Sequence, residues 1–138
     1  MSALIKPAFQ FRLDMQTGVP VYRQIIDQVH GAIAAGALAT GDQLPTVRQL
    51  AVDLSINPNT VVRAYKELEL TGQLETHQGT GTFISGQKIT QAEAERERQL
   101  GQIAADAVAR AGAAGFTIEQ LLEYLRNWPN RPASKEKE

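Results

Sequence analysis

Asn57, Asn59, Thr60 and Arg63 crowd the start of a run that opens with Asn57-Pro58, and Arg48 precedes them on the outward side of an earlier short run. These are side chains that read base edges. The asparagine amide offers a donor and an acceptor matched to adenine, and the arginine fork matches guanine O6 and N7. A helix N-terminus adds unpaired backbone N–H groups, which suit phosphate oxygens. The chemistry implied is non-covalent recognition of a nucleic acid. Asn57 is first of all a helix cap, with Pro58 at the first helical position, so any contact it makes with DNA is additional. Catalysis finds no support. His30 and His77 fall in separate segments, there is no cysteine, and no His/Asp/Glu cluster has metal-ligand spacing. Gly79-Thr-Gly-Thr-Phe lacks both the Lys-Ser/Thr of a phosphate-binding loop and a following helix. No catalytic residue, metal or cofactor is expected.

The elements that must position these side chains follow from periodicity. Phe9, Phe11 and Leu13 alternate with polar residues and predict a short half-buried strand. Pro20 is expected at the first position of a helix over 20–35, with Tyr22, Ile25, Ile26, Val29 and Ile33 on one face and Gly36 at its end. Residues 38–45 connect it to the next helix, with Leu44 as a core anchor. Thr46 and Gln49 fit a capping box ahead of Val47, Leu50, Ala51 and Leu54. Ser55-Ile56 form the turn. Val61, Ala64, Tyr65 and Leu68 face inward from the third helix, which leaves Asn59, Thr60, Arg63 and Lys66 on flanking or outer faces. Gly72 closes that helix with a left-handed cap. Residues 74–76 and 82–84 then bracket 77–81 as a β-hairpin. Two helices joined by a tight turn and followed by a hairpin make a winged helix-turn-helix, whose second helix enters the major groove.

Residues 87–130 are a separate piece. Thr90 and Glu93 fit a capping box for a helix running to about Ala111, striped by Leu100, Ile103, Ala104, Ala107, Val108 and Ala111. Gly112-Ala-Ala-Gly115 reads as a turn. Thr117 and Gln120 cap a last helix with Ile118, Leu121, Leu122, Leu125 and Trp128, ended by Pro129. An antiparallel pair of this size cannot bury both apolar faces alone, and a second copy of the chain is the economical partner. Residues 131–138 read as a disordered tail.

Composition sets limits on class. Of 138 residues 43% are hydrophobic and 21% charged, as in a globular protein, and no apolar run approaches the roughly 20 residues of a membrane span. A cytoplasmic protein with no membrane partner is expected. Residues 1–86 carry Lys6, Arg12, Arg23, Arg48, Arg63 and Lys66 against Asp14, Asp27, Asp42, Asp53, Glu67, Glu69 and Glu75. A basic stripe is missing, so DNA affinity must come from a few well-placed cations with helix N-termini and backbone N–H groups.

Three motifs tighten the reading: G-x-L-x-x-G-D-x-L-P-[ST]-x-R-x-L-A from Gly36, N-P-N-T-V-x-R-A-Y-x-x-L-E from Asn57, and G-T-G-T-F from Gly79. Together they resemble the GntR family of bacterial transcription regulators, and the short helical tail resembles its YtrA-like branch. The resemblance implies DNA contacts from Arg48, Asn57, Asn59, Thr60 and Arg63, with Gly79 at the wing tip in the minor groove. Many larger members carry arginine where Pro58 and Val62 stand, and a basic residue where Gln78 stands, so those contacts are absent here. The stretch after Gly86 is too short for the effector or aminotransferase-like domains of larger members. In this branch such a tail is implied to dimerise, and such proteins often repress their own operons, frequently with ABC-transporter genes.

The expectation is therefore a mainly α protein with a small β wing. Residues 1–86 form a winged helix-turn-helix DNA-binding domain and residues 87–130 an antiparallel two-helix dimerisation region. The function expected is that of a homodimeric repressor reading a two-fold operator in double-stranded DNA. A small-molecule effector is left open, with the dimer seam or the junction of the two parts as its place. An activator, or a winged-helix scaffold for a protein partner, is the competing reading.

Overall fold

Pro20 and Gly36 bracket the first helix, α1 (Val21–Ala35). Along the chain it is followed by β1 (Gln43–Leu44), α2 (Val47–Leu54), α3 (Pro58–Leu70), β2 (Leu74–His77), β3 (Gly81–Ile84), α4 (Glu93–Ala113) and α5 (Ile118–Arg126). A computed structural model describes residues 9–86 and 92–128, and the chain divides into two units, Met1–Gln87 and Lys88–Glu138.

The first unit is built on α1 and α3. Ile25, Ile26 and Val29 recur along α1 at helical spacing, as do Val61, Ala64, Tyr65 and Leu68 along α3, and all seven are buried. Leu50 and Ala51 of α2 join them, with Leu38, Leu44, Leu74 and Ile84 from the connection and the sheet. Tyr22, Ile33, Val47 and Leu54 pack against this core from its margin. Pro20 stands at the N-cap of α1 rather than inside its first turn, and Gly36 ends the helix in the left-handed conformation at φ 82°.

Two features of this unit depart from the sequence expectation. The sheet has three strands in the order β1-β3-β2, all antiparallel, because Gln43 and Leu44 pair with Phe83 and Thr82. Residues 9–14 are extended and alternate in burial, but they form no strand. Two glutamines of α1 occupy the place of a neighbouring strand. The Gln28 amide takes both backbone groups of Arg12, and Gln24 does the same for Asp14, accepting from its N–H and donating to its carbonyl, each at 2.9 Å. Side-chain amides satisfy the backbone as a ladder would.

The ends of α2 and α3 follow local rules with one exception. Thr46 accepts from Gln49 N–H at 3.0 Å, but the Gln49 side chain donates forward to Asp53 at 2.8 Å. The capping box expected at α2 is therefore half formed, since turning the Gln49 amide forward to the charged Asp53 acceptor carries its oxygen away from the Thr46 N–H. Gly72 caps α3 at φ 92°, and Gln73 N–H donates back to Leu68 O at 2.9 Å.

The second unit holds α4 and α5, which contact each other. Thr90 lies outside the described residues, and α4 starts at Glu93 with Ala92 at the N-cap and no side-chain cap. It continues through Gly112 to Ala113, so the expected four-residue turn narrows to Ala114 and Gly115 ahead of Phe116. Alanine is the best helix former and extends the ladder until Gly115 takes φ 89°. Thr117 and Gln120 form the complete capping box of α5. Neither helix has a buried residue; Leu100 and Ile103 are each 62% exposed and Leu125 53%. Pro129 and the tail 131–138 lie outside the described residues.

Candidate nucleic-acid interface

The start of α3 is set by Asn57. Its side chain accepts from Asn59 N–H at 2.7 Å, and its carbonyl accepts from Thr60 N–H at 3.0 Å. Ser55 ends α2 in the left-handed region at φ 57°, making the turn that leads into α3. With Val61, Ala64, Tyr65 and Leu68 turned into the core, the opposite face of α3 is solvent. Asn57, Asn59, Val62, Arg63 and Lys66 are exposed and Thr60 is half-buried. The four predicted α3-side residues are thus gathered at one end and one face of a single helix.

Arg48 is exposed in the first turn of α2. The Tyr65 hydroxyl donates to Pro45 O at 2.7 Å, which ties the middle of α3 to the residue just ahead of α2. Burial drives the Tyr65 phenol well above the ordinary tyrosine range, so it stays a donor. Arg48 and the α3 cluster are therefore carried by two helices tied at the entry to α2 by a partly buried hydrogen bond. Gly79 is carried separately, at the tip of the β2–β3 turn, exposed and at φ 84°.

The wing turn is braced from β1. Gln43 Nε2 donates to Thr80 O at 3.0 Å, and Thr80 N–H closes the turn on His77 O at 2.9 Å. Gly81 sits beneath this brace at φ 132°, where a Cβ would stand 2.4 Å from Gln43 Nε2. His77 packs edge-on against Phe83 and lies 3.6 Å from Glu75.

Arg63 has a neighbour that periodicity does not reveal. Its guanidinium carbon stands 3.6 Å from the centroid of the Tyr22 ring, a close cation–π stack between α3 and the start of α1. Tyr22 was expected simply on the buried face of its helix, and nothing in the pattern says what its outer ring surface meets. Next to it, Arg23 lies 3.7 Å from Glu67 of α3 and 3.8 Å from Asp27.

The site presents Asn, Thr and Arg side chains on one helix face, together with a braced hairpin. Among the described residues no group of three or more His, Cys, Asp or Glu can hold a metal ion. Among them, too, no helix is long and apolar enough to cross a membrane. The arrangement suits hydrogen bonding to base edges and phosphates.

The family model "Bacterial regulatory proteins, gntR family" matches residues 21–84, the span from α1 to the end of β3. The HTH-type transcriptional repressor YtrA of Bacillus subtilis is 40% identical over 119 residues, covering 83% of this chain and 88% of that protein. The chain belongs to the GntR family. The HTH-type transcriptional regulator Rv1152 of Mycobacterium tuberculosis is also 40% identical, over 86% of this chain and 93% of its own length. Among solved structures, YtrA from Sulfolobus acidocaldarius, a GntR-family transcription factor, aligns with a TM-score of 0.54 at 31% identity, covering 72% of this chain and 97% of that one. These GntR relatives match across most of their own length, so the similarity extends beyond the winged helix into the short helical tail. The chain is a YtrA-like, DNA-binding transcription regulator with a winged helix-turn-helix.

Proposed function

We propose that this GntR-family chain is a homodimeric repressor that acts in the cytoplasm on a two-fold operator, its own operon being the first candidate and ABC-transporter genes the candidate cargo of that operon. The observation that carries the reading is the division of exposed chemistry between the two units. The first exposes Arg48, Asn57, Asn59 and Arg63, with Thr60 half-buried beside them, at two tied helices, and Gly79 on a braced wing. The second exposes every large apolar side chain of α4 and α5 except Leu121, which is half-buried.

The N-terminal end of α3 enters the major groove in this reading. Asn59 and Arg63 contact base edges, Thr60 and Arg48 a base or a phosphate, and Gly79 lets the wing backbone approach the minor groove closely. The α4–α5 pair joins two copies, so the half-sites lie about 34–36 Å apart, one DNA turn, or a multiple of it. The repressor named among the relatives supports the sign of regulation. The near-neutral first unit favours the competing scaffold role, and the test separates the two.

Fluorescence anisotropy of the purified protein on its own upstream DNA, against a scrambled duplex at two salt concentrations, decides. Preference of about a thousandfold supports the operator reading. Equal, weak, salt-erased binding to both, together with failure to enrich any duplex from a random library, rejects it.

A further inference from the structure

Arg63 and Glu67 stand four residues apart on α3, the spacing at which an arginine and a glutamate pair across one helical turn. They do not pair. Among the described residues Arg63 has no carboxylate within ion-pair distance, while Glu67 lies 3.7 Å from Arg23 of α1. Arg63 instead stands over the Tyr22 ring, with 3.6 Å between its guanidinium carbon and the ring centroid, too close for the guanidinium to meet the ring other than largely face-on. Tyr22 and Arg23 are consecutive, so one turn of α1 engages both α3 residues at once and sorts them onto different partners.

We infer that Tyr22 and Arg23 are positioning residues that keep Arg63 un-neutralised and oriented for DNA. Arg23 does so by holding Glu67 away, and Tyr22 by occupying one face of the guanidinium. This deepens the proposed function and rests on its contact between Arg63 and DNA. A guanidinium stacked by its face keeps its N–H edges free, and the edges are what guanine O6/N7 or a phosphate needs. The ring restricts the long side chain before DNA arrives, which lowers the entropy lost on binding. The sorting matters in this chain because residues 1–86 carry one more acidic than basic side chain and offer few cations to spend on DNA. A carboxylate folded onto Arg63 would have to be displaced before each binding event.

The charge-diverting part has a test that structural damage does not imitate. Full-length protein is measured by anisotropy on a duplex that the wild-type protein enriches from a random library, for Arg23→Ala, Glu67→Gln, the double variant, Arg63→Ala and Arg23→Ala/Arg63→Ala. Arg23→Ala frees Glu67 to pair with Arg63 for most of the time, and the binding-competent fraction falls, so affinity drops about threefold. Glu67→Gln recovers that loss in the Arg23→Ala background and changes the wild type by less than about twofold. Arg63→Ala weakens binding about tenfold or more, and in that background Arg23→Ala has no further effect. Tyr22→Leu weakens binding about two- to fivefold whereas Tyr22→Phe, which keeps the ring, does not. All these side chains are exposed or half-buried, and thermal melts confirm that each variant is folded.

Equal effects of Glu67→Gln in the two backgrounds overturn the diversion of charge. An undiminished Arg23→Ala effect without Arg63 means Arg23 touches DNA itself, and it overturns the positioning role. Arg63→Ala that binds like wild type rejects the contact on which the inference rests, and the inference with it.

Discussion

Asn57 has two roles that can be separated, because its capping bond and its place at the proposed DNA surface respond differently to Asp and to Ala. The cap is the 2.7 Å bond from Asn59 N–H to Oδ1 at the head of α3. Asn57→Ala deletes it and leaves an orphan helix N–H, which costs about 1 kcal/mol, within the usual 0.5–2 range. In a first unit of this size that lowers Tm by about 4–8 °C. Asn57→Asp keeps the acceptor and adds a charge that the helix N-terminus favours, so stability stays within about 0.5 kcal/mol of wild type. On DNA the order reverses. The new carboxylate faces phosphates and lowers affinity about tenfold or more, whereas Asn57→Ala loses what the amide contributes at a base edge, about 1–3 kcal/mol if it makes a paired contact. The assay is urea unfolding at one fixed protein concentration, since the proposed dimerisation would couple stability to concentration, alongside anisotropy on the enriched duplex. An Asn57→Ala protein as stable as wild type refutes the cap. An Asn57→Asp protein that binds DNA like wild type takes Asn57 off the interface.

Arg48→Ala is expected to lower specific affinity by about 1–3 kcal/mol if Arg48 contacts a base, and less, with a salt slope reduced by about one, if it contacts a phosphate; unchanged affinity and slope in salt titrations remove it from the interface. Truncation after Gly86 leaves the whole described core of the first unit intact and is expected to give a folded monomer that binds one half-site weakly; light scattering that still finds a dimer at micromolar concentration refutes dimerisation through α4 and α5. Tyr65→Phe deletes the bond to Pro45 O and strands that carbonyl, costing about 1–2 kcal/mol in urea unfolding. Because burial raises the Tyr65 phenol, the wild type holds its full advantage below the unfolded-state value of about 10 and loses it as pH rises beyond. The gap between the two proteins therefore narrows in alkali, and a gap independent of pH contradicts the buried donor.

Much of the fold was legible because its signals are local. The apolar spacing of Ile25, Ile26 and Val29, and of Val61, Ala64, Tyr65 and Leu68, marks helix faces whatever the rest of the chain does. Asn57-Pro58 and the Thr117–Gln120 box mark helix starts for the same reason. The failures are failures of partnership. Alternation at Phe9, Phe11 and Leu13 correctly reports which side is half-buried, but it does not say that Gln24 and Gln28 amides take the backbone groups in place of a strand. Gln43 and Leu44 are too few to show any period, so their pairing with β3 was invisible. Gln49 had two partners within reach along its own chain, the Thr46 N–H behind it and the Asp53 carboxylate ahead, and the choice of Asp53 depends on the side chain's path.

Sequence alone determined that α3 presents Asn57, Asn59 and Arg63 to solvent. It also determined that α4 and α5 carry apolar stripes, which no described residue buries. Both follow from the fixed pitch of a helix. Tertiary structure decided which charge answers which. In an isolated α3, Glu67 is the natural partner of Arg63, one turn away. The packing of α1 across α3 brings Arg23 to Glu67 and Tyr22 to Arg63, because contacts between residues far apart in the chain are set by how helices cross and not by spacing along either one.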